Sequence, residues 1–308
     1  MSTLDKMKGV LLAFWCCSVA VAGGVGDIYE RYRESPWSNE PLIQAACRDD
    51  AQGLERLLRL LQEGADVQVC SESGYTALMA AAYAGNVDAV RFLLTAGADC
   101  RARTKQGSTV LHSLARADLQ YCTACRGMTT GDVDAALQKL DERLVLIADM
   151  LMKAGVEVDA VNAEGKTPIA LAMLRHPRLV KKLLDSGANP NGRVGAGEGT
   201  MTLLMAAAYL RKPEVAAALL AAGADVNAVE RDGGNTALHY AVKSGRRIGE
   251  GDDSARNEVV RLLRAAGANP RLKDAAGWSV MQIAEGRADA ELVSLLVSAA
   301  ENGKKTST

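Results

Sequence analysis

The chain has 308 residues, 48% hydrophobic and 24% charged, with a formal net charge of −1. That balance suits one large or two ordinary globular domains and argues against a polybasic nucleic-acid groove or membrane-surface patch. Aromatics are only 4%, so a core of closely packed small helices, rich in Ala and Leu, is expected rather than a thick sheet sandwich.

The first segment differs from the rest. Lys6 and Lys8 precede the uncharged run VLLAFWCCSVAVA, and Ala20-Val21-Ala22 offers a small-x-small site before Gly23. This is the pattern of a secretory signal over residues 1–22, with Met7 as an alternative start. An uncleaved anchor is the competing reading, because Lys8 and Asp27 bracket an uncharged stretch near the lower length limit for a span. Residues 23–39, with Tyr29, Tyr32 and Trp37, are expected to cap the next domain. Cleavage removes two of the seven cysteines and leaves Cys47, Cys70, Cys100, Cys122 and Cys125, an odd number too sparse for a disulfide scaffold.

From residue 40 onward the chain repeats itself. TALMAAAYAG at 76–85 returns as TLLMAAAYLR at 202–211 and TALHYAVKSG at 236–245. Gly-Ala-Asp or a close variant recurs at Gly64, Gly97, Gly155, Gly187, Gly223 and Gly267, each after a leucine-rich run such as VDAVRFLLTAG or PEVAAALLAAG. The period is about 33 residues. T-x-L-x-x-A-A, a leucine helix, G-A-D and a polar loop, in fixed alternation, resemble the ankyrin repeat. The resemblance implies an all-α solenoid of about seven helix–turn–helix units with β-hairpin fingers. The units are 40–73, 74–106, 107–164, 165–199, 200–233, 234–276 and 277–303, followed by a disordered tail at 304–308. Thr76 and Thr236 are placed to cap inner helices. Leu93-Leu94 and Leu219-Leu220 are assigned to the core between units. Gly97 and Gly223 are expected to end outer helices in a left-handed conformation. His112 and His239 fall on the T-x-L-H position, where the resemblance implies a structural hydrogen bond between neighbouring turns. His176, before Pro177, is expected in a solvated turn.

Departures from the period come in chain order. The third unit is about 25 residues too long, and its excess contains Cys122-x-x-Cys125. A local disulfide in an oxidising compartment is favoured; a redox pair, a zinc site and free or differently paired thiols are the alternatives. Residues 131–153 are expected to form an extended outer helix starting near Thr130 or Asp132. GRVGAGEG at 192–199 is a Gly-rich finger; without a βαβ unit it is no phosphate loop. The sixth unit carries a second excess, GRRIGEGDDSARN. Both insertions join an inner to an outer helix, so both are expected on the edge opposite the fingers.

No nucleophile elbow, HExxH or triad spacing occurs, and no cofactor, metal site or enzymatic activity is expected. The resemblance implies a scaffold that binds another protein, not nucleic acid or, after signal cleavage, membrane. It places the contact surface on the fingertips and the exposed side of the inner helices: Tyr75, Tyr83, Arg103, Lys105, Arg116, Lys166, Tyr209, Arg231, Lys243 and Trp278. Tyr, Trp and Arg are the types that anchor interfaces. The expected setting is a bacterial periplasm or secretion, with an immunity or escort role toward a toxin or enzyme. A thiol-dependent or metal-dependent protein built on Cys122 and Cys125 is the alternative.

Overall fold

A computed structural model describes residues 40–117, 133–194, 201–244 and 253–302. The signal segment, the cap, the Cys122/Cys125 pair and the tail lie outside the described residues. The described residues form seven helical hairpins. Inner helices α1 (Pro41–Ala46), α3 (Ala77–Tyr83), α5 (Val110–Ala115), α7 (Pro168–Ala172), α9 (Leu203–Tyr209), α11 (Ala237–Lys243) and α13 (Val280–Gly286) alternate with outer ones. The outer helices are α2 (Ala51–Gln62), α4 (Val87–Thr95), α6 (Val133–Lys153), α8 (Pro177–Asp185), α10 (Pro213–Ala221), α12 (Ser254–Ala265) and α14 (Ala290–Asn302).

Short helices of this kind are marginal alone, because one or two turns do not repay nucleation. Capping starts them. Thr76, Thr167, Thr202 and Thr236 each accept a backbone N–H three residues on, at 3.3, 3.4, 3.2 and 3.4 Å. Stacking then completes them. Each inner helix packs on its outer partner or on neighbouring inner helices, and outer helices pack in sequence from α2 to α14. The inner helices are small because they are crowded: Ala77, Ala80, Ala81 and Ala82 are fully buried, as are Ala206, Ala207 and Ala208 to within 2%. Leu57, Leu93, Leu183, Leu219 and Leu263 line the layer between helices at 0–1% exposure. One hydrophobic core therefore runs from Leu42 to Leu296. Leu94 and Leu220, assigned to that core with their neighbours, are only partly buried.

Gly97 and Gly223 adopt φ of 86° and 87° after their outer helices. A β-carbon there would touch nothing within 4 Å, so the requirement is one of backbone conformation alone. The fingers that follow are held by single antiparallel bridges at Cys70–Thr76, Arg193–Thr202 and Lys273–Ser279 rather than by extended strands. A side-chain ladder joins finger to finger. Gln68 Oε1, Asp159 Oδ2, Asn191 Oδ1 and Asn227 Oδ1 accept the backbone N–H of Asp99, Asn189, Asp225 and Asn269 at 2.8–3.0 Å. These acceptors occupy equivalent places, four residues after the helix-ending glycine.

The extended outer helix starts at Val133 and runs 21 residues, against nine in α4, α8 and α10. Leu140, Leu144, Ile147 and Leu151 form its buried stripe, and Leu146 is 56% exposed on its outward side. His176 is not solvated. It is 2% exposed, and its Nε2 lies 3.0 Å from the Ala117 carbonyl in the preceding unit. The turn before Pro177 is short enough to press the ring against that carbonyl, which local sequence does not reveal.

Among the described residues no helix is long and apolar enough to cross a membrane.

Candidate functional site: the inner-helix and finger face

The two T-x-L-H histidines organise the base of this face. His112 Nδ1 accepts the Thr109 N–H at 3.1 Å, so Nε2 carries the proton and donates to the Lys166 carbonyl at 3.0 Å. His239 repeats the arrangement with the Thr236 N–H at 3.2 Å and the Trp278 carbonyl at 3.3 Å. Each imidazole thus ties an inner helix to the next finger, as the motif predicts. Burial, above all, holds both pKa values below the ordinary histidine value of 6.5. The unfolded chain therefore takes up protons first as pH falls, and stability present above pH ~6.5 is lost on acidification through the lower folded-state values. Thermal melts are expected to drop by several degrees between pH 7 and 5. A His112→Gln/His239→Gln variant, though less stable at pH 7, should show a visibly flatter slope. Equal slopes would exclude the histidines as the cause.

The ten predicted contact residues separate into groups. Tyr75, Tyr83 and Tyr209 are half-buried, with their rings packed on the core. Lys105 and Arg231 are exposed on fingers. Trp278 is 54% exposed. The remaining cations are matched by carboxylates that pattern reading did not single out. Arg103 meets Glu157 at 2.7 Å. Glu164 takes Lys166 at 2.8 Å and Arg116 at 3.7 Å. The Lys166 hydrogen bond is the main reason the Glu164 carboxyl is held below its usual range. Lys243 meets Asp274 at 2.6 Å and donates to Asn235 at 2.7 Å. Burial pushes the Asp274 carboxyl up, but Lys243 and the backbone N–H groups of Trp278 and Ala276 more than offset it, leaving the pKa low.

The densest cluster lies across units five to seven. Tyr209 and Tyr240 meet edge to face, with ring centroids 6.2 Å apart at 87°. Tyr240 donates its hydroxyl to Glu230 at 2.8 Å. Burial, followed by that carboxylate, drives the phenol pKa upward. Nearby in the same units, Lys243 pairs with Asp274, which also accepts the backbone N–H of the exposed Trp278 at 2.9 Å. Tyr240, 4% exposed and so a buried support for Tyr209 rather than a contact residue, is the residue missed from sequence. Its place is alanine in the two closest copies, Ala80 and Ala206, and that departure was the available signal. Glu230 and Asp274 share a second register, seven residues after the glycine, with Ser71, Thr104 and Asn162. Ser71, Thr104, Asn162 and Asp274 accept finger-tip N–H groups at 2.9–3.1 Å. Glu230, with a longer side chain, instead reaches Tyr240 and the Asn235 amide.

Such a face can hold a macromolecule: rigid rings set among preorganised, paired charges lose little freedom when covered. Catalytic chemistry has less to work with. Both T-x-L-H histidines are spent on backbone bonds, and partial burial pushes the Cys47 thiol up to about 12, away from thiolate reactivity. Among the described residues no group of three or more His, Cys, Asp or Glu is arranged to hold a metal.

Stacked helical hairpins with projecting fingers and a continuous inner-helix face define a repeat scaffold of the protein-binding class. The signature described as "Ankyrin repeats (3 copies)" matches residues 42–128 and 176–249, and the single "Ankyrin repeat" signature matches 233–275. The chain belongs to the ankyrin repeat family. It is 30% identical over 216 residues to the mitochondrial disaggregase of Bos taurus, covering 68% of this chain and 27% of that protein. The match therefore spans about a quarter of the length of that relative. Among solved structures, the human ASB11 ankyrin repeat domain superposes with a TM-score of 0.60 at 22% identity, covering 85% of this chain and 98% of that one. A chain from the complex of the predatory endopeptidase Bd0816 of Bdellovibrio bacteriovorus with the immunity protein Bd3460 superposes with a TM-score of 0.52 at 24% identity, covering 72% and 97%. At these identities the likeness to the solved structures is one of fold.

Proposed function

We propose that this chain is an exported bacterial ankyrin protein that grips a partner protein in the periplasm, as an immunity or escort protein grips a toxin or envelope enzyme. The observation that carries the reading is a stretch over units five to seven in which the half-buried Tyr209, its ring held edge to face by the buried Tyr240, accompanies the paired Lys243 and the exposed Trp278. Fixed aromatics beside satisfied charges are what interface anchors require. Export rests on the pattern in residues 1–22. The immunity role draws on fold likeness to a chain from an endopeptidase–immunity protein complex.

The test uses the mature chain as bait in periplasmic extract beside a Tyr83→Ala/Tyr209→Ala variant, with the mass of the exported protein measured in parallel. A partner retained by the wild type and reduced at least tenfold with the variant is expected, together with a mature start at Gly23. Equal recovery by both baits removes the proposed face; an intact residue 1 removes the cleaved signal. A Cys122→Ser/Cys125→Ser bait should keep the partner, whereas its loss would favour the thiol-dependent reading.

A further inference from the structure

Helix α8 begins without a cap of its own. His176 stands at its N-cap and makes no side-chain cap bond, and Pro177 at the first position has no N–H. The next N–H groups are met from another unit. Asp141, on the extended helix α6, accepts the Arg178 N–H at 3.1 Å and also bonds the Leu179 N–H. A carboxylate suits that place, because the first turn of a helix carries partial positive charge. Asp141 thereby joins α6 to the start of α8, 37 residues further along the chain.

The other oxygen of the same carboxyl is not satisfied. Asp141 Oδ1 is buried with no hydrogen bond. It faces His176 Nδ1 at 3.8 Å, with side-chain exposures of 8% and 2%, and that separation is beyond hydrogen-bond distance. The ring's Nε2 lies 3.0 Å from the Ala117 carbonyl, which can only accept, so Nε2 carries the proton of the neutral ring. Nδ1 then presents a lone pair to a carboxylate oxygen. Two buried acceptors facing each other call for one proton between them. Of the described charges nearby, Arg178 acts on Asp141 and is itself held by Glu142 at 2.7 Å. Arg175 adjoins the ring in the same turn and has a partner of its own. Arg143, two residues beyond Asp141, pairs with Asp49 at 2.7 Å, and Arg116 beside Ala117 stands 3.7 Å from Glu164. None of them donates to Asp141 Oδ1.

We propose that Asp141 and His176 take up one shared proton on acidification, and that this proton closes the 3.8 Å gap into a hydrogen bond fastening α6 to the start of α8. Burial, above all, pushes the Asp141 carboxyl up from its ordinary value, against the Arg178 and Leu179 N–H groups and the charges of His176 and Arg178. The folded chain therefore holds a proton here at a pH where the unfolded chain has released it. The contribution to stability is full below the unfolded-chain value of 3.8 and is lost as pH rises through the higher folded-state value. The sense is opposite to that of His112 and His239, whose contribution falls on acidification. None of the predicted contact residues of the inner-helix face belongs to the pair, so the device stands apart from the partner proposed above.

Amide hydrogen exchange on the full mature chain tests the assignment. Protection of the Arg178 and Leu179 amides, relative to those of α10 and corrected for intrinsic rates, is expected to rise about fivefold or more between ~pH 7.5 and ~pH 4.5. Asp141→Asn keeps an oxygen for the Arg178 N–H and offers an amide N–H to His176 Nδ1 whatever the pH. That variant should hold the two amides at the wild type's acid level with no pH dependence. Carboxyl and imidazole NMR titrations read the proton directly, and Asp141 and His176 should respond together in coupled steps. A protection ratio unchanged by pH in the wild type overturns the proposal, as does wild-type pH dependence retained by Asp141→Asn. Independent titration of the two groups, with Asp141 at its ordinary value, does the same and requires no variant.

Discussion

Leu144→Ala is expected to cost about 3–4 kcal/mol, within the range for emptying a fully buried leucine site. Leu144 is 0% exposed and sits mid-way along α6, the long outer helix that packs on both α4 and α8. Its neighbour Leu140 presses on the turn at Gly85, where even a β-carbon would come within 2.7 Å. Collapse around the void is therefore restricted, which favours the upper part of the range. Position in the array adds a second effect. Repeat stability is a sum of units and nearest-neighbour interfaces, and α6 supplies the interface for units two, three and four. Weakening it should divide one cooperative transition into two, with a smaller urea m-value for each. Urea unfolding followed by far-UV circular dichroism reads both. A shift below 1 kcal/mol with an unchanged m-value would mean that α6 is not the central weld.

Arg256→Ala is expected to lose about 3–5 kcal/mol, the cost of removing one partner from a buried charge pair. The Arg256 side chain is 6% exposed. It meets Asp289 of the last unit at 2.8 Å and Asp253 at 3.3 Å, and it hydrogen-bonds the Asn257 side chain. Asp253 in turn lies 3.5 Å from Arg211 of unit five. The guanidinium thus links three units, and its removal leaves two carboxylates deprived of a shared counter-charge. Raising salt should restore little, because buried charges are poorly screened. Urea melts of wild type and variant at ~0.05 and ~0.5 M NaCl give the comparison. A loss under 1 kcal/mol would rank the network with ordinary surface pairs, and full rescue by salt would place it in solvent.

Both effects arise where units meet, and the same division separates what was legible in advance from what was not. The architecture was legible because each unit is written locally. A capping threonine, an alanine-rich turn of helix, a leucine-rich helix and a left-handed glycine are requirements of backbone and near neighbours, so they recur at a fixed period. The T-x-L-H histidines were legible for the same reason, since their partners lie one repeat away in a stack whose geometry the period implies. The extended outer helix was foreseen within a few residues of its start at Val133.

The charges of the contact face were not legible. Sequence displayed Lys166, Lys243 and Arg103 as available cations, and folding set each against a carboxylate on a finger. Tyr240 was passed over because its role depends on Tyr209, one repeat away, and on Glu230 in a finger. His176 was read as solvated because its burial depends on Ala117 of the preceding unit, 59 residues earlier. By itself the sequence determined that there are repeats, where each begins, and which residues cap and fill them, since short-range sterics and hydrogen bonding dictate those. Only the tertiary structure decided which surface charges are already satisfied and which rings meet, because those depend on distances between units that no local pattern encodes.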